Sequence, residues 1–238
     1  MQDADNTKGR TLSATETEDY LAAITIGKRE PVNSMIYLAP YDPGWPSEFA
    51  QLANLIRAAL RDKVLLLEHV GSTSVPGLSA KPIIDIVLAV ADSADESSYV
   101  PPLEEQGFVL RIREPDWFEH RLFKTHRTGA NLHVFSTGHE EIDRMLAFRD
   151  WLRIHEEDRR RYEETKRALA ARTWKHVQDY ADAKSKVVQE ILTRALTVRE
   201  SQPDAGPMTR SARSRMCQMG YHWRAPRHRS ALRWAHKP

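Results

Sequence analysis

Residues 68–90 read EHVGSTSVPGLSAKPIIDIVLAV. An apolar strand, VLLLEHV (64–70), stops at Gly71, crosses a hydroxyl-rich loop, and resumes as PIIDIVLAV (82–90) around one aspartate. A plain chain reversal needs far less than this. A strand that ends in glycine lets a ligand approach backbone N–H groups with no Cβ in the way. Ser72, Thr73 and Ser74 place three hydroxyls in succession, and amides with hydroxyls at a turn form a nest for phosphate oxygens. Pro76 and Gly77 turn the chain, and Lys81 brings positive charge back toward the loop. Asp85, between Ile84 and Ile86, is costly in a strand interior unless it faces a cleft or a cation. Mg²⁺ held by such a carboxylate and by substrate phosphates is the common arrangement. The stretch is not a Walker A loop, because Lys81 is followed by Pro82 and the Gly-Lys-Ser/Thr element is missing.

Around this corner the chain has ordinary globular composition. Its 238 residues are 41% hydrophobic and 29% charged, enough for one domain with a real core plus tails. No run approaches the roughly 20 apolar residues of a membrane helix, and the acidic start has no apolar signal region. The single cysteine, Cys217, leaves no internal disulfide and fits a reducing compartment, so a cytoplasmic protein is expected. The net charge of +2 is uneven: the stretch from Ser201 to Pro238 holds eight Lys/Arg and one acid, Asp204. The body before it is acidic, so overall basicity is poor support for a nucleic-acid-binding domain. Trp223 and Trp234 among the arginines of this tail could stack on bases, but an unstructured extension is the favoured reading.

Three regions are expected: a polar N-terminal arm (1–33), a folded domain (34–198), and a basic, disordered tail (199–238). Order begins near SMIYLAPYDPGWP with a short strand and a turn. A helix from Ser47 follows from Phe49, Leu52, Leu55, Ile56, Ala59 and Leu60 at three- and four-residue steps. PPLEEQG reads as a short helix begun by proline and ended by glycine. FVLRIRE (108–114), HRLFKTH (120–126) and ANLHVFS (130–136) alternate as strands, the last two joined in a hairpin at Thr128-Gly129. Arg121 and Lys124, three apart on one strand, point to opposite faces, so at most one serves the corner. From Glu140 onward two or three amphipathic helices are expected, broken near His155 and Thr173. Arg149-Asp150 reads as a structural salt bridge, and His69 as a strand-end hydrogen-bonding group.

The Gly71-Ser72 turn followed by Asp85 resembles the nucleotidyltransferase superfamily. A closer resemblance is to the GrpB family. It is carried by EHVGSTSVPGLSAKPIIDI, YDPGW (41–45), LHV (132–134), LAFRDWLR (146–153), and the pairs Tyr162/Lys166 and Tyr180/Lys184. These marks run in the family's order over about residues 36 to 195. The resemblance implies an α/β (α+β) fold, a nucleotidyltransferase-like mixed sheet packed by helices with a C-terminal helical segment. Phosphate or nucleotide binding is expected at Gly71, Ser72, Thr73, Ser74, Lys81, Lys166 and Lys184, the last two either closing over a polyphosphate or, on the packing reading, covering tyrosine rings set on the core. Asp85 is the expected catalytic carboxylate, and a single Mg²⁺ could be held by it, by the ligand phosphates and by His133, which alternation with Leu132 and Val134 turns to a polar face. Some family members are fused to dephospho-CoA kinase, which implies a folding-accessory role beside such a partner. Two departures weigh against transfer chemistry. Val87 stands where the superfamily places a second acid, and His133 lies on the strand that would supply a third. An Mg²⁺-dependent transferase and a non-catalytic binder of a nucleotide or CoA-like metabolite therefore both remain open.

Overall fold

The structure, a computed structural model, describes residues 14–27, 36–125, 129–174 and 183–201. Five strands form one mixed sheet: β1 (Leu66–Val70), β2 (Ile84–Val90), β3 (Phe108–Glu114), β4 (His120–Thr125) and β5 (Ala130–Ser136). Their spatial order is β1-β2-β5-β4-β3. The central pair, β2 and β5, is parallel, and every other pair is antiparallel. The long excursion from β2 to β5 includes α3 (Val100–Glu105) as well as β3 and β4, which gives a parallel pair the crossover it requires.

Alternation along the strands divides the sheet into two covered faces. Ile84, Ile86, Leu88 and Val90 of β2 and Ala130, Leu132 and Val134 of β5 pack with Leu52, Ile56 and Leu60 of α2 (Trp45–Leu60) and with Leu103 of α3. The opposite face presents Val70, Val87, Ala89 and Phe135 to Ile142 and Met145 of α4 (Glu140–Ile154). Both faces of the central strands are thus lined, which explains their nearly continuous apolar sequence. A separate cluster joins α4, α5 (Glu156–Ala170) and α6 (Ser185–Ser201). Val75 and Leu78, from the loop after β1, insert among Phe148, Leu152, Tyr162, Val188 and Ile191. The helical part therefore grips the loop of the opening motif.

Two expectations need correction. The segment 36–40 is not a strand; it makes a single β-bridge, in which Ala39 and Ala80 exchange backbone bonds of 2.8 and 2.9 Å. The N-terminal arm is not featureless either. Residues Ala14–Ile24 form α1, fastened to the edge strand β3 by Tyr20 donating to Glu114 Oε1 at 2.5 Å and by Ile26 N–H to Arg111 O at 2.8 Å. Its polar sequence hid a helix that tertiary contacts support. The expected hairpin joins β4 to β5, with Gly129 at φ 59°; Thr128 lies outside the described residues. The helical region has breaks near His155 and Thr173. Residues 202–238, including the basic tail's tryptophans, lie outside the described residues, as do 1–13. Among the described residues no helix is long and apolar enough to cross a membrane.

Ile86 is fully buried at the centre of the sheet. Ile86→Ala should lower unfolding free energy by about 2–5 kcal/mol in urea denaturation. Leu55→Ala, at an exposed position of α2, should stay within about 0.5 kcal/mol of the parent.

Candidate functional site

β1 ends with Val70 paired opposite Asp85 of β2. Gly71 then turns the chain at φ 69°, and a Cβ added there would lie 2.4 Å from Asp85 Oδ2. The bend and the carboxylate therefore meet at van der Waals range, which only glycine permits. The hydroxyls of the turn divide into two kinds. Ser74 Oγ donates to Gly71 O at 2.6 Å and Thr73 Oγ1 donates to Ile83 O at 3.1 Å. Both residues are buried, so these two hydroxyls fix the loop's shape. Ser72 keeps part of its surface exposed, as do Gly71, Lys81 and Asp85. Gly71 touches Asp85 and Lys81 acts on its carboxylate, so these partly exposed residues mark the candidate hollow.

His69 supports the bend from below. Its Nε2 lies 3.0 Å from Thr73 Oγ1, and its ring stacks on Phe49 at 4.9 Å. Because Thr73 already donates its proton to Ile83, the imidazole must be the donor, which fixes the Nε2–H tautomer. Burial, aided by Arg153 and Arg149, pushes the His69 pKa down to about 4. It is neutral at physiological pH, with its proton on the nitrogen that faces Thr73.

Asp85 occupies the floor. Asn131, its register partner on β5, donates Nδ2–H to Asp85 Oδ1 at 2.9 Å. Lys124 on β4 pairs with Asn131, so Lys124, Asn131 and Asp85 form one row across the sheet. Burial raises the Asp85 pKa; the Asn131 bond, Lys81, Lys184 and Lys124 pull it back down without cancelling the rise. Burial likewise lowers the pKa of Lys81, with Asp85 opposing. Thus β2, β4, the loop after β1 and the start of α6 bring three lysines within electrostatic reach of one carboxylate.

A fourth lysine comes from α5. Lys166 is 2% exposed, and its Nζ donates to Ser72 Oγ at 3.2 Å and to the carbonyl of Ser79. It also stands 4.8 Å from the centroid of the Tyr162 ring, one helical turn earlier. Burial, reinforced by Lys184, lowers its pKa to about 7. The Tyr162 hydroxyl is hydrogen-bonded to Ser72, and burial raises its pKa to about 12. Ser72 therefore sits between an amine and a phenol, both supplied by the helix that closes one side of the hollow. The packing reading of this pair also holds, since the Tyr162 ring lies in the helical core.

α4 anchors both ends of the bend. Arg149 Nη1 donates to His69 O at 2.9 Å and to Glu68 Oε2 at 2.8 Å, while its Nε bonds Asp150 Oδ1 at 2.7 Å. Arg153 reaches Ser74 O with Nε at 3.1 Å and Nη2 at 2.9 Å. The structural part expected of Arg149 and Asp150 is therefore more specific: Arg149 ties α4 to the strand end that precedes Gly71.

His133 lies one row from Asn131 on the same sheet face, opposite Val87. It is buried, and its Nδ1 stands 3.2 Å from His120 Nε2, whose Nδ1 is 2.8 Å from Glu114 Oε2. It belongs to that buried chain, and the hydrogen bond to Asp85 comes from Asn131 instead. Val87 is fully buried against α4. Arg121 and Lys124 do point to opposite faces: Arg121 pairs with Glu96 at 2.5 Å, away from the hollow. Tyr180 lies outside the described residues.

The residues present do not fit a protein-held Mg²⁺. Asp85 offers one carboxylate, one of its oxygens accepts from Asn131, and ammonium groups occupy its surroundings. A divalent cation needs several oxygen ligands and would meet like charge here. Among the described residues no group of three or more His, Cys, Asp or Glu could hold a metal.

Gly71→Ala combines a left-handed backbone with a clash against the carboxylate. It should cost roughly 2–5 kcal/mol, from about 1–2 of backbone strain and about 1–3 of overpacking, read by denaturant unfolding. Lys166 is held near pKa 7 in the fold against 10.5 ordinarily, so the unfolded chain binds the extra proton between those values. Stability should therefore rise with pH from 7 toward 10.5, by up to about 1.4 kcal/mol per unit. Unfolding curves of Lys166→Met should lack that component.

Comparison with known proteins agrees with this layout. A family model described as GrpB protein matches residues 35–194. A UPF0157 protein of Halalkalibacterium halodurans is 57% identical over 82% of this chain and 97% of its own length. A crystal structure of the conserved protein GrpB from Enterococcus faecalis superposes with a TM-score of 0.59 at 29% identity, covering 66% of this chain and 98% of that one. A more distant relative, named dephospho-CoA kinase in Mycolicibacterium paratuberculosis, is 26% identical over 73% of this chain and 49% of its own. With the Gly-Ser bend, the mixed sheet and the helical clamp all in place, the chain belongs to the GrpB (UPF0157) family.

Proposed function

We propose that the hollow binds a phosphorylated small molecule, such as a nucleotide or a CoA-type metabolite, through its lysines, and does so without a protein-held cation. The observation that carries this reading is the gathering of ammonium groups beside the Gly71 bend. Lys81, Lys124 and Lys184 act on Asp85, and Lys184 also acts on Lys166. An anionic ligand would relieve the mutual repulsion and restore full protonation to the lysines that burial has disfavoured. Ser72 adds a partly exposed hydroxyl beside the bend that Gly71 makes against Asp85. The CoA-type ligand draws support from the relative named dephospho-CoA kinase, of which this chain resembles one portion.

Transfer of a nucleotidyl group is the weaker reading. Clamping two cations about 4 Å apart takes several carboxylates. Here Asp85 stands without a second acid, because position 87 is a core valine. Binding in the service of a partner enzyme asks less of the site.

Thermal-shift and calorimetric titrations with ATP, pyrophosphate and coenzyme A, with and without Mg²⁺, test the proposal. Stabilisation is expected without Mg²⁺ and should weaken as salt is raised. Lys81→Ala and Lys184→Ala should each weaken binding about tenfold, or about 1.4 kcal/mol. If none of these anions binds, the proposal is wrong. Mg²⁺-dependent pyrophosphate release that disappears in Asp85→Ala would favour the transferase instead.

A further inference from the structure

Ser72, Lys166 and Tyr162 form a constellation that phosphate binding does not require. The amine is 3.2 Å from the hydroxyl, is almost wholly enclosed, and is held in place by two other contacts: the Ser79 carbonyl and the face of the Tyr162 ring. A neutral lysine amine has two N–H groups and one lone pair. In the neutral form its N–H groups can serve the carbonyl and the ring face while its lone pair accepts from the Ser72 hydroxyl, the reverse of the donation that the ammonium form makes. The contact with Ser72 then runs in the sense a general base needs, with the hydroxyl donating. Only Ser72 of the three turn hydroxyls is partly open to the hollow, whereas Thr73 and Ser74 spend theirs on backbone carbonyls.

From this geometry we infer that Ser72 is a nucleophile activated by Lys166, giving the site a latent serine–lysine acyl-transfer activity toward small activated carboxylic esters or thioesters. In the step, Ser72 Oγ forms a bond to the acyl carbon and its proton passes to Lys166 Nζ. The alcohol or thiol of the donor departs as the C–O or C–S bond breaks, taking that proton with it. Water, deprotonated in turn by Lys166, attacks the acyl carbon; the serine ester C–O bond breaks, Lys166 returns the proton to Ser72 Oγ, and the carboxylic acid is released. Tyr162 stays protonated, with its hydroxyl against Ser72. A lysine base must be neutral, and burial with Lys184 nearby lowers the Lys166 pKa to about 7, close to the ideal for proton transfer at physiological pH. The other charged groups facing Lys166 act in both directions: Glu163 raises its pKa while Arg167 lowers it.

The test uses an uncharged probe, p-nitrophenyl acetate, so that it does not depend on the lysine-lined anion site. The full chain should release p-nitrophenol in a burst equal to the protein present. Its mass should rise by one acetyl group, mapped to Ser72 by peptide sequencing. The burst should vanish in Ser72→Ala and persist in Ser97→Ala, a change at an exposed serine. Lys166→Met and Lys166→Arg should each slow acetylation by about 10²–10⁴-fold. Arg keeps the charge and the contacts but cannot act as a base, which separates catalysis from packing. The rate of the parent should climb through pH 7 and level off above it. Acetylation confined to surface lysines, or unchanged in Ser72→Ala, would overturn the inference. Absence of a burst from the parent chain, with phosphate-ligand stabilisation intact, would overturn this step and leave the binding function standing.

Discussion

The hollow depends on a carboxylate resting against a backbone carbon that bears no side chain. Asp85 and Gly71 approach so closely that even one methyl group between them would overlap an oxygen. Strand pairing puts Val70 opposite Asp85, and the positive φ of Gly71 then throws the chain across the carboxylate. Ser72 reaches the hollow's edge because of that turn. Thr73 and Ser74, which follow it, lock the bend to Ile83 and Gly71. Remove the close approach and the hydroxyl, the amides and the lysines lose their common centre.

Electrostatics gives this centre an unusual character. Burial disfavours the charged forms of both Asp85 and Lys166. The lysines around Asp85 come from different segments of the chain. On the proposed function, a phosphorylated ligand would draw them to one point. Meanwhile the same burial that disfavours Lys166 as a cation leaves more of it as the neutral amine, the form able to accept a proton. One side chain thereby supports two chemistries, according to its proton.

Much of this was legible in the sequence, for particular reasons. Lone Asp85 in an apolar strand and the glycine before three hydroxyls are local signals, and they pointed to one corner. The spacing of Tyr162 and Lys166 put both on one helix face. The spacing of Arg121 and Lys124 separated them to opposite sides of the sheet. Asn131 was invisible because nothing in ANLHVFS distinguishes it; its role follows from the register of a parallel pair whose strands lie over 40 residues apart. His133 looked like a ligand by alternation alone, but the partner that claims it, His120, is supplied by β4. The helix α1 was missed because it draws its stability from β3, not from its own polar sequence. The segment 36–40 has strand composition yet finds only the loop residue Ala80 to pair with.

The arginines of α4 have a mechanical consequence. Arg149 and Arg153 grasp the carbonyls of His69 and Ser74, one on each flank of the Gly71 bend, while Lys166 grasps Ser79 farther along. The sheet supplies the floor and the helices supply the walls, so neither half contains a finished receptacle. Prising the helical layer away by even a small hinge would uncouple the floor from its walls and spread the cationic groups apart. On the proposed function, a ligand lodged in the recess would also help to cement the two layers of the molecule together.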